Sequence, residues 1–505
     1  MLLSAWGLLG CDNPPRHEPA TPAAPTPSQA TTPETPTLEL DLWASSQTSF
    51  AGALSEEQRL QNPVVVFVPG IAGSSLVIGK GENGQTIWPK YHPSVEELLS
   101  PRAESQDIVR RMWVLFDVYD SLLQFLSLRF ETVPCFYDWR RSLPQASRTV
   151  GACVARAVKT ARSRVPARKV AIVAHSMGGL AARYYLESGD TPPPELSQLI
   201  TIGTPHQGSP EALRKAVGQE GFHWLNLVDK SVLGRLAAHP DFPSLYTLLP
   251  TPDVEGEGSG WLIGPDGSAL VGGILGSSDQ HERVVDGLRM GRENAAAARQ
   301  FWRGISLVRQ SGVKGLSIFG TGQKTTMQVQ VTDRFEVVPQ RTLGGDGTVP
   351  AWSSMGPARW DHMEVAAEHV KMVRAPEVLT RLEKELSKFP PPEDLRTIPL
   401  LLLIADRTLV RPGAFLEVAV QTYGKATASR GRFAWLPVNK DWADYPPKVA
   451  KALSQKSLQQ RGATPLEVSF GVQAPVEVGV HFLFVQSDDG RNSDGVFVVV
   501  DPAAE

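Results

Sequence analysis

The sequence predicts an α/β fold: a doubly wound, mostly parallel sheet with a cap or lid inserted, followed by a small antiparallel β-sandwich. Three observations predict it. Val64–Val68 and residues 170–173 are continuous β-branched apolar runs, the pattern of strands buried on both faces. Stretches of helical periodicity alternate with such runs up to about residue 385. Beyond Pro390-Pro391-Pro392 the hydrophobic period becomes two.

Taken in order, residues 1–11 are an apolar leader. Leu8-Leu9-Gly10-Cys11 resembles the lipobox of bacterial lipoproteins, in which the cysteine is lipidated. Two features depart from it: no basic region precedes the apolar run, and Leu9 is not the commonest residue at its position. Residues 12–61 form a linker, dominated by Pro, Thr and Ala up to residue 37, which reads as an extended tether. Residues 62–386 form the α/β domain. Strands are expected at Val64–Val68, 132–136, 170–173, 199–202 and 316–319, and helices at 117–130 and 147–164. The interval from about 206 to 315 fits the strand–helix rhythm poorly and contains Gly-rich stretches, so a cap is placed there, with Trp224, Leu225 and Leu227 available to exclude water. Residues 387–394 mark a boundary. From 397 to 505, Leu416, Val418 and Val420, and then Leu466, Val468, Phe470 and Val472, alternate with polar or small residues, as in a β-sandwich. The acidic segment 487–495 reads as a solvated hairpin turn, since it lacks the ligand spacing of a calcium loop.

The chain has 505 residues, 42% hydrophobic and 20% charged, with a net charge of −3. No basic run supports a nucleic-acid partner, and no apolar stretch approaches the ~20 residues of a membrane span. The three cysteines, Cys11, Cys135 and Cys153, make neither a disulfide framework nor a metal cluster. Cys135 and Cys153 are expected to be buried free thiols, with pairing in an oxidising compartment as the alternative.

The chemistry centres on Ala174-His175-Ser176-Met177-Gly178-Gly179. An apolar strand, a serine between small residues and an immediate helix are the context of a nucleophile elbow. The turn is strained, so the positions two before and two after the serine must be small; Ala174 replaces the usual glycine and Gly178 keeps it. The alternative is a Ser/Gly-rich helix cap in an ordinary strand–helix unit. A serine nucleophile needs a base and a group to orient the base, in the chain order Ser, Asp or Glu, His for an α/β-hydrolase layout. Asp346 in Gly344-Gly345-Asp346-Gly347-Thr348-Val349-Pro350 is the acid candidate. His369, at the entry to an apolar helix, is the base candidate, with His362 as runner-up. The loop Pro69-Gly70-Ile71-Ala72-Gly73-Ser74 follows the first buried strand, and its small residues permit close approach of backbone N–H groups to an oxyanion. Met177 and Ile71 are the expected donors. Gly70, Ala72, His175, His206 and Trp88 are candidates for the substrate cleft. This chemistry calls for no cofactor or metal.

These residues carry a resemblance to the lecithin:cholesterol acyltransferase family, which includes lysosomal phospholipase A2 and the phospholipid:diacylglycerol acyltransferases. It rests on Val66-Phe67-Val68-Pro69-Gly70-Ile71-Ala72-Gly73-Ser74, Tyr137-Asp138-Trp139-Arg140, the elbow, Phe319-Gly320-Thr321-Gly322-Gln323-Lys324-Thr325 and Gly345-Asp346-Gly347-Thr348-Val349-Pro350, in the family's order. Glu368-His369-Val370 is similar to the family's catalytic-histidine segment. The resemblance spans about residues 62–385. Ile87-Trp88-Pro89-Lys90 matches the family's lid segment only loosely, and the short N-terminal disulfide loop of its animal members has no cysteines here.

The resemblance implies a serine-dependent acyltransferase or phospholipase acting on a lipid ester, with an alcohol or water as acceptor and a membrane or lipid surface as partner. A triacylglycerol lipase or carboxylesterase is the alternative within the same chemistry. A surface-anchored lipid- or glycan-binding protein with an inert hydrolase domain is the alternative of another class. The leader and tether point to the cell envelope, as a membrane-anchored bacterial lipoprotein, or otherwise to secretion.

Overall fold

A computed structural model gives the architecture. It describes residues 54–502 apart from 80–83, 91–92, 113–115, 189–190, 220–229, 255–257, 306–311, 390–399, 406–408, 424–427, 438–453, 462–465 and 488–492. Cys11, the leader, most of the linker, and Trp224, Leu225 and Leu227 lie outside the described residues, as does the middle of the acidic 487–495 segment.

The centre is a six-stranded sheet built from β1 (Val64–Val68), β2 (Glu131–Pro134), β3 (Val170–His175), β4 (Leu196–Ile202), β5 (Lys314–Gly320) and β6 (Asp361–Val365). The spatial order is β6-β5-β4-β3-β1-β2, and every neighbouring pair is parallel. Every residue of β1 and β3 is buried, as their unbroken apolar runs require. Between β1 and β3 the strand order reverses direction. Such a switch point opens a crevice outside the carboxyl ends of the strands, where open α/β sheets bind ligands. The architecture is a doubly wound parallel α/β sheet, as expected.

The expected helices are α1 (Asp120–Arg129) and α2 (Leu143–Arg164), followed by α3 (Met177–Ser188). In α2, Leu143, Ala146, Val150, Val154, Ala157 and Ala161 recur at helical spacing and form the buried face. Pro144 sits in its first turn, where a missing N–H costs nothing. The start of α3 is buried all round, from Met177 to Arg183, because it lies under the loop leaving β1.

The interval between β4 and β5 is helical rather than irregular. It holds α4 (Glu211–Ala216), α5 (Lys230–Ala238), a 3-10 turn at Pro243–Leu248, α6 (Asp279–Gly287) and α7 (Arg292–Gly304). After β5 comes an antiparallel hairpin of Gln323–Val331 and Val337–Gly345, and α8 (Pro376–Leu386) follows β6. Sequence pattern missed β6. It is an edge strand whose Asp361, His362 and Glu364 are exposed, so it carries no apolar run.

Towards the C-terminus two further sheets form. One pairs Leu400–Ala405, Phe415–Tyr423 and Leu466–Gln473 antiparallel. The other orders Leu409–Val410, Ser493–Val500, Gly479–Ser487, Ala428–Pro437 and Ser454–Arg461, antiparallel except for its first pair. Leu416 and Val418 from the first sheet and Trp435, Leu483 and Val498 from the second belong to one buried core.

One expectation is overturned. Cys135 and Cys153 form a disulfide rather than two free thiols. Cys135 directly follows β2, and Cys153 lies on the buried face of α2, which packs back on that strand. Their Cα atoms are 5.8 Å apart, inside the bonding range of roughly 4.4–6.8 Å. The helical return that brings them together is invisible in a spacing of 18 residues. Closing a loop of this size stabilises by about 3 kcal/mol. Replacing both cysteines by serine should therefore lower the thermal midpoint by roughly 5 °C and abolish its sensitivity to a reductant, measured by scanning calorimetry. An unchanged midpoint would count against the bond.

Candidate active site

Ser176 stands at the end of β3, one residue before α3, with φ at +53°. That left-handed backbone costs a non-glycine residue about 1–3 kcal/mol. The surroundings hold it there. Ser176 N–H donates to the Ile202 carbonyl at 2.9 Å, and the Thr204 hydroxyl donates to the Ser176 carbonyl at 3.0 Å. The neighbouring glycines are required by contact. A Cβ on Gly178 would lie 2.3 Å from the Pro69 carbonyl oxygen, and one on Gly179 2.0 Å from Thr204 Oγ1. Ala174 needs no such relief: its methyl is fully buried in the sheet core.

The structure brings Ser176, His369 and Asp346 together. His369 Nε2 lies 2.9 Å from Ser176 Oγ, and His369 Nδ1 lies 2.7 Å from Asp346 Oδ2. The carboxylate accepts on Oδ2, so Nδ1 carries the proton and Nε2 offers its lone pair to the serine hydroxyl. Asp346 Oδ1 is occupied by the N–H groups of Thr348 at 2.9 Å and Val349 at 2.7 Å, which leaves Oδ2 for the histidine. The His369 N–H also donates to the Asp346 carbonyl at 2.9 Å. Gly203, at φ +58°, seats this pair: a Cβ there would be 3.1 Å from His369 Nδ1 and 3.3 Å from Asp346 Oδ2. Gly320, from the Phe319–Thr325 motif, does the same on the other side, where a Cβ would meet Asp346 Cβ at 2.5 Å. Thr325 Oγ1 in that motif accepts the Gly347 N–H at 2.8 Å.

Ser176 opens into a narrow, partly enclosed cleft. Its apolar lining includes Ile71, Val118, Leu245, Leu248, Val349 and Val370, and its polar lining includes Ser209, Glu211, Lys215 and Thr348. The insertion between β4 and β5 thus supplies one wall. Gly70 and Ile71 line the cleft beside the serine, and Met177 opens α3, where backbone N–H groups lack helical acceptors.

The lecithin:cholesterol acyltransferase family model matches residues 93–262. That segment of the chain is therefore similar to this family. The matched span contains the Tyr137–Arg140 motif and Ser176, while Asp346 and His369 lie beyond it and join the site through the fold alone. Similar solved structures include a chain of the Tle4–Tli4 complex, at 15% identity, 63% coverage of this chain and 96% of that one, with a TM-score of 0.42. A lipase-esterase related protein from Clostridium acetobutylicum is 8% identical, covering 64% and 93%, with a TM-score of 0.28. A metagenomic carboxyl esterase is 13% identical, covering 61% and 65%, with a TM-score of 0.26. Among curated proteins no sequence matches this chain.

Several cleft candidates sit elsewhere. Trp88 is fully buried beneath the loop, where its Nε1–H donates to the Ala72 carbonyl at 2.7 Å and its ring meets Trp139 edge-on. Ala72, at φ +59°, is buried with it and does not line the cleft. His206 lies behind the wall rather than in it, between Thr201 Oγ1 at 3.0 Å and Arg183 Nη1 at 3.3 Å. Pro205 and Ser209 form the wall instead. His362 is on the exposed edge strand β6, paired with Ser317, and is no partner of the serine. His175 does line the cleft. Sequence reading missed Tyr119, whose hydroxyl is 2.8 Å from His175 Nδ1 and 3.0 Å from the Gly70 nitrogen. Among the described residues no cluster of His, Cys, Asp or Glu suits a metal, and no helix is long and apolar enough to cross a membrane.

His175 and His206 both lie well below the ordinary histidine range. Burial is the main cause in each, reinforced by the nearby His369 for His175 and by the Arg183 guanidinium for His206. Both rings are neutral in the folded protein. Below about pH 6.5 the unfolded chain therefore binds protons that the folded chain does not, so stability falls as pH falls. The thermal midpoint should drop between about pH 7 and about pH 5, and His206→Asn should flatten that slope. A midpoint independent of pH across this window would contradict the assignment.

Proposed function

We propose that this protein is a serine-dependent lipid acyltransferase or phospholipase. The observation that carries the reading is the continuous hydrogen-bonded line Ser176–His369–Asp346 opening onto an apolar cleft. In this reading Ser176 Oγ attacks the ester carbonyl carbon while its proton passes to His369 Nε2. Asp346 holds the ring and stabilises the imidazolium. The oxyanion is received by the N–H groups of Met177 and Ile71, each worth ~10²–10³ in rate. The intermediate collapses, His369 protonates the departing alcohol oxygen, and an acyl-Ser176 ester remains. An incoming alcohol or water gives its proton to His369 and attacks the acyl carbon, and His369 returns the proton to Ser176 Oγ as it departs. Apolar walls from Ile71, Val118, Leu245 and Leu248 suit an acyl chain. A lipase or carboxylesterase would use the same groups.

Turnover of a chromogenic ester by the full chain should fall about 10⁴-fold or more in Ser176→Ala and in His369→Ala, and should be unaltered in His362→Ala. Activity surviving in Ser176→Ala would refute the serine mechanism, and an inactive wild type would favour a binding role for the fold. With phospholipid vesicles, mass spectrometry should show lysophospholipid and free fatty acid, and a new ester once a long-chain alcohol is added. Free fatty acid alone in the presence of the alcohol would make the enzyme a hydrolase.

We propose further that Cys11 carries a lipid in the native cell envelope, with the Pro-rich tether spacing the enzyme from the membrane. The support is the Leu8-Leu9-Gly10-Cys11 pattern followed by that tether. Metabolic labelling with a fatty-acid probe should mark the protein and be lost in Cys11→Ser. Unlabelled protein in the soluble fraction would overturn this reading.

A further inference from the structure

We propose that Tyr119 is a positioning residue for the acyl-transfer site, its hydroxyl holding the oxyanion loop and the His369 segment in register through one hydrogen-bonded chain. The inference rests on the serine mechanism above. Tyr119 directly precedes α1, and its ring is buried between Phe67 and His175, with centroids at 5.1 and 5.6 Å. Its hydroxyl is 3.0 Å from Gly70 N and 2.8 Å from His175 Nδ1, and His175 Nε2 is 3.1 Å from the His369 carbonyl oxygen.

The directions of these bonds are fixed by chemistry. The Gly70 N–H can only donate, so the phenol oxygen accepts there. The His369 carbonyl can only accept, so His175 Nε2 carries the ring proton and Nδ1 has a lone pair. The phenol proton therefore goes to Nδ1. Burial keeps His175 neutral, which permits this tautomer, and keeps the Tyr119 phenol protonated. The chain runs Gly70 N–H to Tyr119 O–H to His175 to the His369 carbonyl without a break.

Two consequences follow for the reaction. First, the Gly70 amide is engaged by Tyr119, so the loop's oxyanion donor is the next amide, that of Ile71. Second, the loop after β1 and the segment after β6 are far apart in sequence, and this chain links their backbones directly. The ring contact of His175 with His369, at a centroid distance of 4.8 Å, adds a stop behind the base. Phenylalanine at 119 would keep the packing and remove both bonds.

A misplacement of about 1 Å at such a site costs on the order of 10²-fold. Tyr119→Phe should lower kcat on a soluble ester by about 10–100-fold, with KM within about two-fold of wild type and the thermal midpoint lowered by only about a few degrees. The rate at which a fluorophosphonate labels Ser176 should fall in parallel with kcat. His175→Gln breaks the same chain at its next link, so the double variant should be no slower than the slower single one. The inference is overturned if Tyr119→Phe keeps kcat within about two-fold, if its loss appears in KM, or if the double variant loses the product of the single losses. Ser176→Ala in the same assay separates the two layers. Turnover surviving there removes the serine mechanism itself, whereas an inactive Ser176→Ala beside a fully active Tyr119→Phe removes only the role of Tyr119.

Discussion

The loop from Pro69 to Ser74 is the fixed point of this molecule, and aromatic side chains fix it. Tyr137 donates to the Pro69 carbonyl at 3.0 Å, Trp88 to the Ala72 carbonyl at 2.7 Å and Trp139 to the Ser74 carbonyl at 3.0 Å. Tyr119 accepts from Gly70, and the loop closes on itself through Gly73 N–H to the Gly70 carbonyl at 3.0 Å. A buried loop must satisfy its polar backbone groups, and here rigid, two-torsion side chains do so at little entropic cost. The serine turn is pressed directly against this loop: Gly178 leaves no room for a Cβ beneath Pro69, and a Cβ on Gly70 would meet the Ser176 Cβ at 2.9 Å. Any movement of the loop would therefore be felt at the nucleophile.

Charge reinforces the same frame from outside. Arg129 at the end of α1 and Glu383 in α8 form a bidentate pair that is almost fully buried. The N-terminal end of α1 adjoins Tyr119, and α8 lies just downstream of His369, so the pair ties together the two segments that the Tyr119 chain also joins. Arg140 plays the corresponding part for the Asp-Trp-Arg motif. It binds Asp138 at 2.7 and 2.8 Å and the carbonyls of Leu98 and Ala103 at 2.6 and 2.9 Å, which locks the segment carrying Trp139. Removing one partner of such a buried pair costs about 3–5 kcal/mol, because the other charge is left uncompensated. These residues matter to the site by holding its parts still.

The sequence made the sheet legible wherever a strand is buried on both faces, and failed at its edge. β1, β3, β4 and β5 announce themselves as apolar runs, whereas β6, with Asp361, His362 and Glu364 in solvent, does not. The elbow was legible because its small residues answer to a steric demand at particular positions, and Asp346 because glycines bracket it. What remained hidden depends on approach in space. Trp88 and His206 look like cleft residues from their neighbours in sequence, yet both point into the core, where each finds a hydrogen-bond partner. Tyr119 carries no local signal because its partners lie 49 and 56 positions away. The Cys135–Cys153 bridge is a product of α2 folding back on β2, and composition alone favoured free thiols.

On the proposed mechanism the cleft that receives the departing alcohol is also the one that receives the acceptor, since both oxygens exchange their proton with the same Nε2 of His369. The two half-reactions are mirror images across one acyl-enzyme. A cleft walled by Ile71, Val118, Leu245 and Leu248 would hold a lipid alcohol by apolar burial, at ~25 cal/mol per Å², and such binding would raise the alcohol's local concentration beside the acyl carbon. The same walls lower the number of waters beside the acyl carbon. Partition between transfer and hydrolysis is thus a property of the wall that the β4–β5 insertion contributes, and not of the triad. Substitutions in the triad should scale both products together, whereas polar substitutions at Leu245 or Leu248 should shift the ratio towards free acid.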